Sequence, residues 1–144
     1  MPVHVAIAIA AAVLVIATAI GLILHARDGH RRGGAGLRVA AEDIAPRALA
    51  ERATLVQFST ELCARCPQVR RMLGGIADAQ DGVAHVEIDL THRADLATRY
   101  HVLQTPTTFL VDASGAVRSR WGGVPDRQEL ADALAAVPTL QENR

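Results

Sequence analysis

The sequence contains few cysteines, few aromatic residues and no lysine. Its 144 residues include two Cys, one Trp, one Tyr and two Phe. Two cysteines exclude a disulfide-dense scaffold, and a bond between residues only three positions apart closes a loop too small to staple the whole chain. We therefore expect this cysteine pair to serve redox chemistry or metal binding.

The charge balance also lacks a dominant sign. The 15 basic residues are all Arg and are matched by 15 acidic residues, which gives a formal net charge of zero. No overall basic field is available to neutralise phosphates, and the basic cluster of Arg27, Arg31 and Arg32 lies beside an apolar segment. We therefore expect no nucleic-acid partner.

One long apolar run lies near the start of the sequence. Val5 to Leu24 is a run of 20 uncharged residues, interrupted only by Thr18 and Gly21. At about 1.5 Å per residue such a helix spans a hydrocarbon core, so residues 1–26 are predicted to form a transmembrane anchor. A cleaved signal peptide is the alternative, because residues 17–19 have a small-x-small pattern, but no Arg or Lys precedes the run.

The residues after the apolar run bear on topology and on domain limits. Arg27, Arg31, Arg32 and Arg38 follow the run, and this favours a cytoplasmic position for the rest of the chain. Residues 27–36 contain four Gly and three Arg, a composition typical of a flexible tether without packed structure. The folded domain is therefore predicted to comprise residues 37–144.

Hydrophobic periodicity within that domain alternates between helix and strand. The predicted order is α-β-α-β-α-β-β-α, with helices at 44–52, 63–79, 92–100 and after Asp126, and strands at 54–59, 83–89, 107–111 and 117–121. Residues 112–115 read as a hairpin turn. Asp126 and Glu129 have the spacing of a capping box for the last helix. This order predicts a mixed α/β sandwich.

Three short motifs carry a family resemblance. Cys63-Ala64-Arg65-Cys66 at a strand-to-helix junction, Thr105-Pro106-Thr107 before a strand and Gly122-Gly123 before the last helix together resemble the thioredoxin family, over roughly residues 40–138. The resemblance implies a thioredoxin fold, a mixed four-stranded sheet flanked by helices, here preceded by one transmembrane helix. It also implies a cis Thr105-Pro106 bond packed against the cysteine pair, with Thr105 and Pro106 pairing with an extended substrate.

The placement of the cysteines has a physical rationale. The unpaired N–H groups at a helix start favour thiolate over thiol, so Cys63 is expected to be the nucleophile and Cys66 the resolving thiol. Arg65 would stabilise the thiolate further, unless it is simply a solvated loop residue. Pro67 suits a first helical turn and predicts a helix that begins at Cys63.

The sequence also departs from the family pattern. Leu62 replaces a usual Trp, Gln57 falls where many thioredoxins bury an Asp, and His85 falls where they keep its Lys partner. Gln57 cannot act as a base. A neutral His85 could accept a proton, although a single His on a strand is more often a packed or solvated side chain.

These features favour a membrane-anchored thiol–disulfide oxidoreductase. Its partners would be protein disulfides and an unidentified thiol electron donor, without a cofactor or a bound metal. Two alternatives stay open: a copper-handling module that uses the two sulfurs, and a redox-silent accessory subunit of a membrane complex. The flanking arginines favour a cytoplasmic domain, whereas anchored bacterial proteins that the chain resembles more often face outward.

Overall fold

A computed structural model describes residues 2–138 of the chain. Residue 1 of the predicted anchor and residues 139–144 of the predicted domain lie outside the described residues. The apolar run forms a single helix, α1 (Val3–Arg27), and none of its residues is buried against the rest of the protein. Within residues 2–138 it is the one helix that is long and apolar enough to cross a membrane.

The remaining elements alternate largely as the hydrophobic pattern predicts. In chain order they are β1 (Arg31–Gly33), α2 (Ala41–Ile44), β2 (Ala53–Ser59), α3 (Cys66–Asp78), β3 (Val83–Asp89), α4 (Ala94–Arg99), β4 (Thr107–Asp112), β5 (Val117–Gly122) and α5 (Arg127–Ala135). The strands form one sheet in the order β1-β5-β4-β2-β3. Only β2 and β3 pair in parallel, and the other neighbours are antiparallel.

The interior strand β2 lies between β4 and β3, and all seven of its residues are buried. Val56 and Phe58 point into one core, where Phe58 packs against Tyr100 and Phe109. Leu55 points into the other core with side chains from α3 and α5. This alternation confirms the predicted fold, a mixed sheet flanked by helices on two faces, and adds a fifth strand to it.

Two helix predictions need correction. In place of the helix predicted at 44–52, the chain forms the short helix α2, which ends at Ile44, where the predicted helix would begin. Ala45 precedes a proline and adopts an extended backbone, because the Pro46 ring disfavours helical geometry in the residue before it. The helix predicted at 92–100 is the shorter α4.

The prediction that residues 27–36 form no packed element is wrong. Arg31–Gly33 pairs antiparallel with β5, and the Gly29 N–H donates to the Gly122 carbonyl at 2.6 Å. Glycine is required at position 34, because a Cβ there would lie 1.7 Å from the Val117 carbonyl oxygen. The glycines permit close strand approach as well as flexibility.

The capping box predicted for α5 is only half present. The Asp126 carboxylate accepts from the backbone N–H groups of Gln128 and Glu129, as predicted. Glu129 does not reach back, because the Asp126 N–H donates to the Gly29 carbonyl instead. The Glu129 carboxylate contacts the segment before β1, accepting from the Arg31 N–H at 2.6 Å and pairing with His30 at 2.9 Å. α5 and its cap therefore help to hold the segment between α1 and β1 against the domain.

Candidate active site

The two cysteines lie between the end of β2 and the start of α3. Cys63 and Cys66 form a disulfide with their Cα atoms 5.4 Å apart. Cys63 is half-buried, whereas Cys66 is only 2% exposed. A reagent in solvent therefore reaches the Cys63 sulfur more easily than the Cys66 sulfur.

The helix begins at Cys66, three residues later than the sequence predicts. A start at Cys63 would require the Pro67 nitrogen to donate to the Cys63 carbonyl, and proline has no N–H. The Cys66 N–H donates to that carbonyl instead, at 3.3 Å, and the regular helical ladder begins with Val69 donating to Arg65. Cys63 thus lies just outside the first turn of α3, on the side where the helix leaves N–H groups unpaired.

The Thr105-Pro106 segment lies beside the cysteine loop. Its peptide bond is cis, as the resemblance implies. The Thr105 hydroxyl is 3.2 Å from the Thr60 hydroxyl, which stands in the loop that leads from β2 to Cys63. The Pro106 carbonyl accepts from the Gly123 N–H at 2.8 Å. All three sequence motifs therefore meet at one end of the sheet, where β2 and β5 end and β4 begins.

Gln57 lies behind the cysteines and joins them to His85. The buried Gln57 amide donates to the Cys66 carbonyl at 3.0 Å, and its oxygen lies 3.0 Å from Nε2 of His85. Burial lowers the pKa of His85 and so favours the neutral imidazole. In its Nε2–H tautomer it donates to Gln57. The structure therefore places His85 one side chain away from Cys66.

A charged cluster beside the cysteines escaped the sequence reasoning. Glu87 accepts from the Ser59 hydroxyl at 2.7 Å and forms a bidentate pair with Arg70 at 2.5 and 2.6 Å. The Arg70 guanidinium is the main reason that the pKa of Glu87 is lowered. These three side chains and both cysteines line a cavity of about 520 Å³. Glu87 could have been suspected from strand periodicity, since it lies two residues beyond His85 on β3.

Asp28, at the end of α1, contacts residues of the cysteine loop and of the segment before the cis-proline. Its carboxylate lies 3.2 Å from the Arg65 guanidinium and accepts from the Gln104 amide at 3.0 Å. Arg65 stands between the two cysteines, and Gln104 directly precedes Thr105. The positive charge of Arg65 is therefore partly neutralised, a contact that sequence reasoning missed because 37 residues separate Asp28 and Arg65.

Two apolar side chains flank the site on the outside. Leu62, next to Cys63, is 97% exposed, and Leu103, two residues before Thr105, is 96% exposed. Within residues 2–138, no group of three His, Cys, Asp or Glu side chains is arranged to hold a metal ion. The copper alternative therefore rests on the two cysteine sulfurs alone.

Comparison with known proteins identifies the family. The thioredoxin family model matches residues 41–136. Among solved structures, the chain resembles Fasciola hepatica thioredoxin (20% identity, 60% of this chain and 81% of that one, TM-score 0.52). It also resembles Trichomonas vaginalis thioredoxin (25% identity, 58% and 78%, TM-score 0.50) and a malaria parasite thioredoxin-2 (15%, 58% and 82%, 0.52). No curated protein matches. The matched residues contain the cysteine pair, Pro106 and the whole sheet except β1, and the chain belongs to the thioredoxin family.

Proposed function

We propose that this protein is a membrane-anchored thiol–disulfide oxidoreductase that exchanges its Cys63–Cys66 pair with protein disulfides. The observation that carries the proposal is the difference in accessibility within the pair. Cys63 reaches solvent beside the start of α3, and Cys66 is buried behind it. An accessible attacking sulfur and a shielded resolving sulfur suit sequential disulfide exchange.

The reaction proceeds in two balanced exchanges. In the reduced protein, the Cys63 thiolate attacks one sulfur of a substrate disulfide, the substrate S–S bond breaks, and one substrate thiolate leaves. The Cys66 thiolate then attacks the Cys63 sulfur, which forms the intramolecular disulfide and releases the second substrate thiolate. Two electrons have passed to the substrate, and the oxidised pair described here is the product state. A dithiol donor reverses these steps on the protein.

Several neighbours are proposed to support the exchange. Thr105 and Pro106 would offer backbone groups to an extended substrate segment, and the exposed Leu62 and Leu103 would contact its apolar side chains. Arg65 would stabilise the Cys63 thiolate, to an extent limited by Asp28. Gln57 would hold the Cys66 backbone, and His85 would act on Cys66 only through Gln57.

The exchange is tested with the reduced full chain in detergent micelles. Wild type is expected to reduce a protein disulfide stoichiometrically, Cys63→Ser to be inactive, and Cys66→Ser to accumulate a mixed disulfide through Cys63. Thermal unfolding of all three proteins checks that the serine variants remain folded. A Cys63→Ser variant that retains activity, or a Cys66→Ser variant that traps no substrate, would refute the proposed roles.

We also propose that α1 anchors the protein in a bilayer. Its 25 residues exceed the roughly 20 that a membrane span requires, and its apolar side chains lie exposed around the whole helix. In water such a helix would expose a large unpartnered apolar surface. A bilayer removes that surface from water.

The anchor is tested on protein isolated from membranes. If α1 is an anchor, the protein should stay in the membrane fraction at alkaline pH, and its mass should include residues 1–26. If residues 1–26 are a cleaved signal sequence, the protein should be soluble and lack them. The side of the membrane is read separately. After mild reduction of intact cells, a membrane-impermeant maleimide labels Cys63 only if the domain faces outward.

A further inference from the structure

A second cavity, of about 240 Å³, lies where α1 meets the edge of the sheet. Three of its seven lining residues are arginines: Arg27, Arg32 and Arg120. The other lining residues are uncharged: Leu103, Gln104, Thr107 and Gly122. Within residues 2–138, none of the three arginines forms an ion pair with a carboxylate. The lining of the cavity therefore contains three basic residues and no carboxylate.

Two of these arginines oppose each other directly across the sheet. Arg32 on β1 is the register partner of Arg120 on β5. Like charges in directly opposed positions of an antiparallel pair destabilise it. The pKa of the partly buried Arg120 is lowered by desolvation and by the charge of Arg32. An anion between these two side chains would convert a repulsion into two attractions.

Arg120 is already held in place for such a role. It donates to the His101 carbonyl at 2.9 Å, and its guanidinium carbon lies 5.2 Å from the centre of the Phe109 ring. A fixed guanidinium loses little side-chain freedom when it binds a planar or tetrahedral oxyanion with two N–H groups. Arg27 and Arg32, which also line the cavity, are exposed.

The cavity lies at the depth of lipid headgroups if α1 spans a bilayer. Arg27 is three residues beyond Leu24, the last residue of the apolar run, which places it about 5 Å further along the helix. The negative helix end amounts to only about half a charge against three guanidiniums. Asp28, the nearest acid along the chain, is paired with Arg65.

We propose that Arg27, Arg32 and Arg120 form a binding site for a phosphate group, as carried by an anionic phospholipid headgroup or by a free phosphate ion. The site does not use the cysteines, and it shares with the proposed substrate surface the residue Leu103. A lipid bound in the cavity would hold the domain against the membrane surface. Gln104 would link the bound lipid to the end of α1, because it lines the cavity and also donates to Asp28.

The experiment uses the full chain in nanodiscs at constant ionic strength. Thermal unfolding is measured in phosphatidylcholine alone, in phosphatidylcholine with phosphatidylglycerol, and in phosphatidylcholine with added inorganic phosphate. Wild type is compared with Arg32→Gln, and with Arg71→Gln as a control that removes an exposed charge from α3. Native mass spectrometry counts the phosphatidylglycerol molecules that stay bound.

The site predicts a change of sign for Arg32→Gln. Without an anion this variant is expected to unfold at the same temperature as wild type or higher, because a repulsion is removed. With the anion, wild type and Arg71→Gln are expected to rise by roughly 4 °C or more, and Arg32→Gln is expected to rise less and retain less lipid. A rise with phosphatidylglycerol alone identifies the lipid headgroup, and a rise with inorganic phosphate identifies the free ion. No rise in wild type, or equal rises in all three proteins, overturns the proposal.

Discussion

Asp28 and Arg65 form an ion pair, with 3.2 Å between carboxylate and guanidinium, that joins the end of the apolar helix to the cysteine loop. Asp28 follows the last helical residue of α1, and Arg65 stands between the two cysteines. The same carboxylate accepts from Gln104, next to the cis-proline segment. If α1 spans a bilayer, these contacts place the cysteine loop and the cis-proline segment near the membrane surface.

The first prediction concerns the charge around Cys63. Asp28→Asn removes a negative charge and frees the Arg65 guanidinium, so the Cys63 thiolate should be better stabilised. Because exposed pairs contribute up to about 1 kcal/mol, we expect the thiol pKa to fall by at most about 0.7 units. The midpoint potential should become less negative by at most about 20 mV. The pH dependence of alkylation and equilibration in thiol buffers measure both quantities.

Asp95→Asn is the matched control for this change. It breaks a pair with Arg93, at 2.9 Å, in which the arginine is as exposed as Arg65 and the carboxylate is more exposed than that of Asp28. The thiol pKa should not change in this variant, and Arg65→Ala should raise it. A rise with Asp28→Asn, or equal shifts in both Asn variants, would contradict the assigned influence of Asp28.

The second prediction concerns the added strand β1. A Cβ on Gly34 would collide with the Val117 carbonyl, whereas a Cβ on Gly33 meets nothing within 4 Å. Gly34→Ala should therefore destabilise the protein by about 1–3 kcal/mol. It should also speed trypsin cleavage after Arg31 and Arg32, because β1 would no longer be paired with β5. Gly33→Ala should leave stability and cleavage nearly unchanged. Denaturant unfolding and timed proteolysis in detergent test the pair, and equal behaviour of both variants would argue against the docked strand.

The third prediction concerns His85 and pH. Its pKa is lowered mainly by burial, so below the unfolded value of about 6.5 the unfolded chain binds a proton that the folded protein does not. The contribution of His85 to stability is present above that pH and is lost as the pH falls. His85→Gln should therefore lose less stability than wild type on acidification.

Comparing the variant with wild type separates the pH dependence due to His85 from that due to His30, because both proteins contain His30. Glu129 raises the pKa of His30, so that residue contributes in the opposite direction, with stability that is lost as the pH rises. Denaturant unfolding at a series of pH values between about 7.5 and 5 measures the difference. If the free energy of unfolding of wild type and His85→Gln changed with pH in parallel, His85 would have the same pKa in the folded and unfolded protein, which would contradict the prediction.

The fourth prediction concerns the Arg70–Glu87 pair in the cysteine cavity. Glu87→Gln removes a negative charge that opposes a thiolate, and Arg70→Gln removes a positive charge that favours one. We expect the thiol pKa of Cys63 to fall in the first variant and to rise in the second, each by roughly half a unit. Alkylation rates against pH measure both shifts. Shifts in the same direction would show that the pair acts through structure instead of charge.

Much of the fold follows from patterns that are local in the sequence. β3 begins and ends as predicted, and β2 differs by one residue, because runs of apolar and β-branched residues favour buried strands wherever they occur. The cysteine motif, the apolar helix and the Asp126 cap depend on neighbours within a few positions. The helix limits were predicted less well, because the end of α2 before Ala45 and the start of α3 at Cys66 depend on the proline that follows each of these residues.

The tertiary structure decided which distant residues meet. The segment before Leu37 reads as a tether by composition, yet it forms an edge strand because β5 offers unpaired backbone groups and Val117 requires a glycine opposite it. Glu129 lies at the right spacing for a capping box but binds His30 and Arg31, which are about a hundred residues away along the chain. The sequence by itself determined the redox pair and the apolar helix, since both depend on adjacent residues. The ion pair of Asp28 with Arg65 and the pairing of Arg32 opposite Arg120 exist only because the fold brings separate segments together.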